Sequence, residues 1–544
     1  MKRTATSLLL LIISFCFFCA ASLSAQENSS ASQPQPSDYA PASSPEFLSH
    51  DELVKLSATA QPEGTLATHL NTLLNTPFVS NDASSVGTQP HRPTVEHLGP
   101  VLRVAFWNIE RGLNFDLIRS ALMNPTEFQR LAGTKSGITD AQKQAIETQL
   151  HSLQEADVVV MNEVDLGMKR TEYRDVAREL ATAMHMNYTY GVEFVEVDPV
   201  FELGIEQVHL ADSQEDARLQ KDLQVDPDRY RGLHGNAILS RYPIRNVRIL
   251  RFPVCHDWYN AEAKQAAKIE QARRWTAEKL FRERIQREVR HGGRIALIAQ
   301  LTVPDVPTGE VTVVAPHLEN KCPPACRRKQ MNTLLAELKD DKNPLVMAGD
   351  LNTTSKDNTP LSIKNEIMKR VADYKFWIGQ VISKFNPIGI YQYALFPVQY
   401  FHGYMDPTSL HILFFWENHE RALFKTVEKF RFVDDRAFDF RGQKDRSTGQ
   451  RGRTLADSNQ RASKGFVPTF AFAKDYGGLV GRFKLDWFFV KPFVQNPRGV
   501  QQSYRFAPHF GTTMRELNDS VEERISDHPP LTVDLPLQEP GPLR

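Results

Sequence analysis

Short hydrophobic runs, separated by polar and turn-forming residues, recur along most of this chain. The runs are rich in β-branched and aromatic residues and are mostly bounded by Gly, Pro or Asn, which is typical of buried strands. Segments between them place apolar residues with helical spacing. The mixture predicts an α/β fold. The predicted strands are VLRVAFW, DVVVMN, NAILS, GRIALIAQLTV, EVTVVAP, PLVMAG, DWFFV and LTVDL, and the predicted helices are AQKQAIETQLHSLQ, YRDVARELATAMH and RRKQMNTLLAELKDD.

The N-terminal residues follow a different pattern. A basic start, the apolar run LLLLIISFCFFCAA and then small residues predict a secretory signal peptide at 1–25. A retained anchor is the alternative, although the run is short for a membrane span. Residues 26–98 are expected to form a disordered linker with a short helical arm at 50–76, because Ser, Pro, Gln and Ala dominate its first part. The sequence therefore predicts a secreted or periplasmic protein whose main domain occupies 99–540.

Segments without strand-like runs interrupt this domain and are interpreted as insertions. Residues 262–294 predict a long helix with ten Lys or Arg against five Glu. Residues 376–416 are rich in aromatic side chains, and 421–465 are Arg-rich and polar, which predicts loops. The insertions lie near 195–232, 256–292 and 375–475.

Composition and cysteine count limit the partners only weakly. Lys and Arg total 65, as do Asp and Glu, so the net charge does not indicate any class of binding partner. A basic surface is still compatible with a net charge of zero. Export permits a disulfide. Two alternatives are open at the CPPAC stretch. In one, Cys322 and Cys326 form a disulfide and Cys255 is a buried thiol. In the other, no such bond forms. A zinc site would need more Cys or His.

Six polar motifs stand beside the strand-like runs. Some follow their run and others precede it, and in a sheet whose strands alternate in direction these ends meet at one edge. The motifs are WNIERG (107–112), NEVD (162–165), PHLEN (316–320), GDLN (349–352), LDWFFV (485–490) and SDHP (526–529).

The residue types in these motifs suit hydrolysis of a phosphoester. Glu163 offers a hard carboxylate for Mg²⁺, with Mn²⁺ or Ca²⁺ as alternatives. Asp350 would take a proton from water, while Asn352 would hold a phosphate oxygen or that carboxylate. His528 would bind phosphate or donate a proton, and it needs a carboxylate to orient it. The alternatives are structural: a turn at GDLN, a packing histidine and a solvated glutamate.

The motif series resembles the endonuclease/exonuclease/phosphatase superfamily, which includes pancreatic deoxyribonuclease, abasic-site endonucleases, neutral sphingomyelinases and inositol polyphosphate 5-phosphatases. The resemblance covers 99–540, with the insertions unmatched. It implies a deoxyribonuclease I-like α/β fold of four layers, in which two mixed β-sheets pack as a sandwich with helices on the outer faces.

The resemblance also implies roles for individual residues. Asp486 would orient His528, His317 would act as a donor or general acid, and Asn108 would orient a catalytic carboxylate. Glu110 and Asp527 would join Glu163 in binding the metal or its water. The implied catalytic residues are Asn108, His317, Asp350, Asn352, Asp486 and His528, and the implied metal ligands are Glu163, Glu110 and Asp527.

These motifs predict a metal-dependent phosphodiesterase that uses in-line attack by water, but they leave its substrate open. A nuclease is slightly favoured, because 262–294 and 421–465 would follow a phosphate backbone. The alternatives are a sphingomyelinase-like lipid phosphodiesterase, with 376–416 contacting lipid, and a phosphomonoesterase; a non-catalytic binding protein is a remote one. No stable protein partner is implied, and the sequence gives no oligomeric state. If His528 and His317 donate protons, activity should fall on the alkaline side of their titration.

Overall fold

Most of the chain after residue 39 is described by the computed structural model. The predicted signal peptide at 1–25 and most of the aromatic-rich segment 376–416 lie outside the described residues. No described helix has the length and apolar character needed to cross a membrane. The described residues are 40–538 except 44, 97, 134, 136, 207–220, 222, 264–286, 354–405, 410, 414–415, 439–457, 463–464, 473–481, 492, 495–503, 507–508 and 523.

Helices and strands follow one another along the described chain, and they include the eight predicted strands and the three helices predicted between them. The helices are α1 (His50–Ser57), α2 (Gly64–Asn75), α3 (Asp82–Ser85), α4 (Phe115–Met123), α5 (Pro125–Ala132), α6 (Asp140–Gln154), α7 (Val176–Ala183), α8 (Trp258–Ala263), α9 (Pro324–Leu338), α10 (Arg421–Lys429) and α11 (Arg515–Asn518), with a 3-10 turn at Lys169–Thr171. The strands are β1 (Phe78–Ser80), β2 (Thr94–Val95), β3 (Gly99–Arg111), β4 (Val158–Leu166), β5 (Asn187–Glu196), β6 (Leu233–Ser240), β7 (Ile244–Arg251), β8 (Arg290–Gly292), β9 (Ile295–Thr302), β10 (Glu310–Pro316), β11 (Leu345–Asp350), β12 (His411–Leu413), β13 (Trp416–Glu417), β14 (Phe470–Ala471), β15 (Arg482–Phe483), β16 (Asp486–Lys491), β17 (Phe493–Val494), β18 (Tyr504–Arg505), β19 (Phe510–Thr513) and β20 (Leu531–Pro536).

Two large mixed sheets form from these strands. The larger has the order β1-β5-β6-β4-β3-β20-β19, with β2 beside β3 and β8 beside β5, and the second has the order β16-β11-β10-β9-β7. The pairs β3–β4 and β10–β11 are parallel. β16 and β20 run antiparallel to β11 and β3. The C-terminal ends of β3, β4, β10 and β11 therefore lie at the same edges as the N-terminal ends of β16 and β20, as predicted.

Alternation of side chains along the strands produces the layers. Phe106, Leu297 and Phe488 belong to the core between the two sheets. Because successive residues of a strand face opposite sides, Trp107 packs in a second core with helices α4, α6 and α7. Trp487 packs in a third core with helices α9 and α10. The order is helices, sheet, sheet, helices, which confirms the predicted four-layer sandwich.

The chain before Gly99 packs against this domain. Its segment 50–76 contains α1, which begins with a capping box between Ser49 and Glu52, and α2. Leu53 lies in the core on the outer face of the larger sheet, and β1 pairs with β5. Arg251 donates to the Asn75 side chain at 3.0 Å, at the end of α2, and to the Val192 carbonyl at 2.7 Å. The folded domain therefore starts earlier in the chain than the predicted boundary at 99.

Two predictions about the insertions need correction. The long helix predicted for 262–294 is wrong at its C-terminal end, because Arg290–Gly292 forms strand β8 and pairs with β5. Residues 264–286 lie outside the described residues. The loops predicted for 421–465 are wrong at their start, where α10 buries Leu423, Phe424 and Val427 against the second sheet. In both places tertiary packing outweighs the polar composition.

The disulfide joins Cys255 to Cys326, so the predicted Cys322–Cys326 bond is wrong. The Cα atoms of Cys255 and Cys326 are 5.9 Å apart, within the range that a disulfide spans. Cys322 is a buried thiol that contacts the Glu319 carbonyl at 3.4 Å. Burial raises its pKa to about 11, so this thiol is mostly protonated and unreactive at neutral pH.

Replacing Cys255 by Ser is expected to lower the free energy of unfolding by about 2–4 kcal/mol, because the disulfide closes a long loop. Cys322→Ser should leave the disulfide intact and serves as the matched control. Urea unfolding measures the first effect, and mapping of unreduced peptides identifies the bonded pair. A Cys322–Cys326 peptide from the wild-type protein would contradict this connectivity.

Candidate active site

Irregular backbone at the ends of β3 and β4 shapes one side of the site. The pairing of these strands shifts register after Asn108, and the pairing of β4 with β6 shifts after Met161. Glu110 and Glu163 lie on these bulges with φ values of 47° and 53°, which non-glycine residues rarely adopt. Bulges of this kind redirect side chains and are common beside active sites.

Asp486 and His528 form a buried pair. His528 Nδ1 lies 2.8 Å from Asp486 Oδ2, and the ring of Phe470 packs against the imidazole with centroids 5.0 Å apart. The Trp107 indole N–H donates to the His528 carbonyl at 2.8 Å. Burial lowers the pKa of His528, but the negative charges of Asp486 and Asp527 outweigh it and raise the pKa to about 10. The imidazole is thus oriented and held in its charged form.

The backbone fixes Asp350 at the end of β11. Its Oδ1 accepts a hydrogen bond from the Asn352 N–H at 2.8 Å, and its own N–H donates to the Asn162 side chain at 2.9 Å. The side-chain amide of Asn352 donates to the Leu318 carbonyl at 3.0 Å. The backbone of Asn352, rather than its amide group, therefore holds the Asp350 carboxylate.

The other carboxylate oxygen of Asp350 faces three of the predicted residues. Asn108 Nδ2 donates to Oδ2 at 3.3 Å, and Nε2 of His317 and of His528 lie 3.8 and 3.9 Å from the same oxygen. Burial and the nearby negative charge of Asp486 raise the pKa of Asp350 to about 6, despite the opposing effect of the histidines. This carboxyl group can take up a proton near neutral pH.

His317 is held by two residues that were not predicted. Its Nδ1 lies 3.1 Å from Glu193 Oε2, and Arg294 Nη1 lies 2.9 Å from the same oxygen. All three side chains are buried. Burial opposes ionisation of Glu193, but the charges of His317 and Arg294 outweigh it and lower its pKa to about 2. Nε2 of His317 lies 3.0 Å from Arg294 Nη1 and 3.8 Å from Asp350 Oδ2, so it faces both groups.

Three further acidic residues of the motifs are Glu110 on β3, Glu163 on β4 and Asp527 just before β20. The Asp527 N–H donates to Glu110 Oε2 at 3.0 Å. Burial acts against ionisation of Glu163, but His234, His317 and two arginines lower its pKa to about 2. Burial raises the pKa of Asp527, and the charge of Glu163 adds to this effect. The accumulated negative charge would be compensated by a cation.

Residues 105–528 match the profile described as the endonuclease/exonuclease/phosphatase family. The match contains every residue of the site described above. The chain belongs to the endonuclease/exonuclease/phosphatase family. It is therefore assigned to a family of phosphoester hydrolases.

Solved structures of the endonuclease/exonuclease/phosphatase fold are similar to this chain. One structure, described as an endonuclease/exonuclease/phosphatase from Beutenbergia cavernae, is 16% identical to this chain. The similarity covers 81% of this chain and 72% of that chain, with a TM-score of 0.30. The 3' phosphatase NExo from Neisseria is 11% identical, with coverages of 79% and 98% and a TM-score of 0.33. Sphingomyelinase C from Streptomyces griseocarneus is 12% identical, with coverages of 80% and 99% and a TM-score of 0.29. No curated protein matches the chain significantly.

Members of the endonuclease/exonuclease/phosphatase family generally use a divalent metal. Glu163, Glu110 and Asp527 supply hard oxygen donors, which suit Mg²⁺. Ligand atoms of Asp350, Asp486 and His528 also lie within 4.8 Å of one another. In that second group, however, Nδ1 of His528 is already engaged by Asp486. Among the described residues the carboxylates of Glu163, Glu110 and Asp527 are not all within this distance of one another, so an ion there would contact some of them through water.

Proposed function

We propose that this chain is a secreted, Mg²⁺-dependent phosphodiesterase in which water attacks phosphorus in line with the leaving oxygen. The observation that supports it most is the position of Asp350 Oδ2 beside Nε2 of His317 and of His528, at 3.8 and 3.9 Å. A proton acceptor and two imidazole groups then face the same space. Export is supported by the Cys255–Cys326 disulfide, which suits an oxidising compartment.

Each group has a role that follows from its contacts. Asp350 accepts the proton of the attacking water. Asp486 orients His528 and favours its protonated form. His528 then donates a hydrogen bond to a phosphoryl oxygen, and this hydrogen bond is stronger because the donor is charged. His317, oriented by Glu193, donates toward the leaving oxygen. Mg²⁺ held by the carboxylates of Glu163, Glu110 and Asp527 would neutralise phosphoryl charge.

Nucleic acid is the favoured substrate, because of the basic composition of 262–294 and 421–465. A lipid phosphodiester or a phosphomonoester is the alternative. DNA, RNA, sphingomyelin and inositol phosphates, assayed in parallel under one buffer condition, separate these classes.

Hydrolysis of bis-p-nitrophenyl phosphate tests the proposed reaction. We expect turnover in Mg²⁺, its loss in excess EDTA and its return on adding Mg²⁺. Glu163→Gln should raise the Mg²⁺ concentration needed for half-maximal activity at least about tenfold, because it removes a charged ligand. Glu147→Gln, on the exposed face of α6, is the matched control. Absence of turnover by wild type on every substrate would contradict the proposal.

The pH profile of kcat/KM is expected to rise through about pH 6 and to stay flat to at least pH 9. The acid limb reflects ionisation of Asp350, whose pKa is raised to about 6. The plateau reflects His528, which stays protonated because its pKa is raised to about 10. Asp486→Asn removes the charge that raises this pKa, so its alkaline limb should move to lower pH. An alkaline limb near pH 7 that is retained in His317→Asn would rule out charged His528 as the donor.

A further inference from the structure

A cavity of about 390 Å³ opens on the outer face of the larger sheet. Its volume lies within the range of sites that hold small organic molecules. Phe78, Leu166 and Tyr190 in its wall belong to the core between that sheet and its helices. None of the residues assigned to catalysis or to the metal is among those that line it. The cavity is therefore a separate place where a ligand can bind.

The segment before α1 completes the cavity. Ser43, Pro45 and Phe47 form part of its wall. The Val79 N–H of β1 donates to the Ala42 carbonyl at 2.9 Å, which attaches this segment to the edge of the sheet. These residues precede the part of the chain that matches the family, 105–528. The cavity is thus built partly from sequence that the family profile does not include.

Two arginines, Arg229 and Arg231, line the cavity without a carboxylate partner among the described residues. Each donates one hydrogen bond to a backbone carbonyl. The guanidinium of Arg229 lies 4.6 Å from the centroid of the Tyr173 ring, and that of Arg231 lies 5.5 Å from the centroid of the Phe47 ring. Stacking of this kind positions a guanidinium while most of its N–H groups remain available.

The acidic residues of the cavity are largely compensated. Asp175 pairs with Arg178 at 3.2 Å, and Glu179 pairs with Arg174 at 3.0 Å. The third, Asp228, is exposed and has no cationic partner in the described structure. Two uncompensated guanidinium groups therefore outnumber one uncompensated carboxylate, so the cavity favours an anion.

The backbone around the cavity is constrained in a way that fixes these groups. Glu172 and Tyr173 have φ values of 56° and 62°, and strained residues of this kind are common at ligand sites. Gly167 has a φ of 66°, and a Cβ there would lie 2.5 Å from the Cβ of Arg231. Glycine is required where the stem of this arginine packs on the end of β4.

Aromatic rings form the floor of the cavity. The rings of Phe78 and Tyr190 stack with centroids 5.7 Å apart, and the Tyr190 hydroxyl donates to the Val164 carbonyl at 3.0 Å. Tyr188 is half-buried, and its hydroxyl has no partner among the described residues. Burial raises the pKa of Tyr188 to about 12, so this hydroxyl remains a donor at neutral pH. Such a surface suits a planar ring.

We propose that this cavity binds a phosphate monoester that also carries a planar ring, which is the chemistry of a nucleotide. The phosphate accepts hydrogen bonds from Arg229 and Arg231, because guanidinium groups match phosphate oxygens in geometry as well as charge. The ring packs on the aromatic floor beside Tyr188. A free nucleotide and the phosphorylated end of a nucleic-acid strand share this chemistry. The inference does not depend on the proposed phosphodiesterase activity, because no catalytic residue contributes to the cavity.

Calorimetry with adenosine 5'-monophosphate and the full chain, in EDTA to prevent metal-dependent turnover, tests the site. We expect binding by wild type and a decrease in affinity of roughly tenfold or more in Arg229→Met and in Arg231→Met, as for loss of a hydrogen bond to a charged group. Both variants should keep wild-type kcat/KM on bis-p-nitrophenyl phosphate. Arg245→Met is the matched control, because it removes an exposed arginine of β7 that bonds Thr302. Thermal unfolding shows whether each variant is folded.

Further ligands separate the two parts of the molecule and its two sources. Inorganic phosphate and adenosine should each bind more weakly than the nucleotide, and Tyr188→Leu should weaken binding of the nucleotide but not of phosphate. Arg231-dependent binding of a 5'-phosphorylated DNA oligonucleotide identifies a strand end as the source, whereas binding of the mononucleotide alone identifies a free nucleotide.

Three results would overturn the site. They are no nucleotide binding by folded wild type, an affinity within twofold of wild type in both arginine variants, and a loss in Asp350→Asn as large as in those variants, which would place the nucleotide at the catalytic residues. Equal affinities for phosphate and nucleotide would overturn recognition of the ring. Absence of hydrolysis by wild type contradicts the phosphodiesterase proposal alone.

Discussion

Asp350→Asn is expected to lower kcat by about 10²–10⁴-fold, the usual contribution of a general base, while KM changes little. The substitution preserves shape, and the Asn side-chain oxygen can still accept the Asn352 N–H that now bonds Oδ1 at 2.8 Å. It removes the group that takes the proton from water. It also removes the negative charge that faces Nε2 of His317 and His528.

Single-turnover kinetics on bis-p-nitrophenyl phosphate in saturating Mg²⁺ measure this loss, because they separate the chemical step from product release. Asp340→Asn, an exposed aspartate just after α9, is the matched control and should retain wild-type kcat. A decrease of less than tenfold for Asp350→Asn would contradict the role of base. An equal fall in melting temperature and activity would indicate misfolding instead, so thermal unfolding is measured alongside.

Arg294→Met is expected to lower the free energy of unfolding by about 3–5 kcal/mol, because it removes the guanidinium that pairs with the buried Glu193 carboxylate. The guanidinium lies 2.9 Å from Glu193 Oε2, and both side chains are buried. Methionine fills a similar volume, so the loss arises mainly from charge rather than from a cavity. Urea unfolding followed by fluorescence measures the change.

The double variant Arg294→Met with Glu193→Gln identifies the cause of this loss. If an unpaired carboxylate is responsible, neutralising Glu193 should recover part of the stability, and the two effects should not add. Simple additivity would show that the arginine stabilises the fold through other contacts. Activity is expected to remain low in the double variant, because His317 then lacks its charged partner.

The sequence predicted the strands whose residues are mainly apolar, but it missed others, among them β5 and β7. In β5, Asn187, Thr189 and Glu193 are buried and interrupt the apolar pattern. Such residues are buried because partners from distant segments satisfy them, as Arg294 does for Glu193. The pattern of hydrophobic residues along the chain does not show which distant residues pair with a buried polar side chain. For the same reason helix α10 was not predicted from the Arg-rich composition near 421.

The motif residues were predicted to meet, and the structure brings them together, but some details depended on tertiary structure. Glu110 lies on a bulge between Asn108 and Arg111, so the direction of its side chain does not follow the regular alternation of a strand. The expectation from sequence, that activity falls on the alkaline side of the histidine titration, assumed an ordinary pKa for His528. Three aspartates around the ring raise that pKa to about 10, so for His528 the fall should come above pH 9.

The disulfide pairing also could not be predicted from the sequence. Cys322 and Cys326 are close in sequence, yet Cys326 is on α9 and bonds to Cys255, 71 residues away. Spacing along the chain could not show that the segment after β7 returns to the start of this helix. Glu193 and Arg294 were missed for a related reason, since neither lies in a motif and each meets His317 only because distant segments come together.

The short strand β1 protects a sheet edge. It covers Tyr188, Thr189 and Tyr190 of β5, and β8 covers the end of the same strand. A chain that began at Gly99 would keep all six motifs but would expose the backbone N–H and C=O groups of β5 along that edge. Unpaired edges of this kind recruit other strands, including those of identical molecules. Self-association in such a shortened protein would therefore come from the lost strand, with its catalytic residues unchanged.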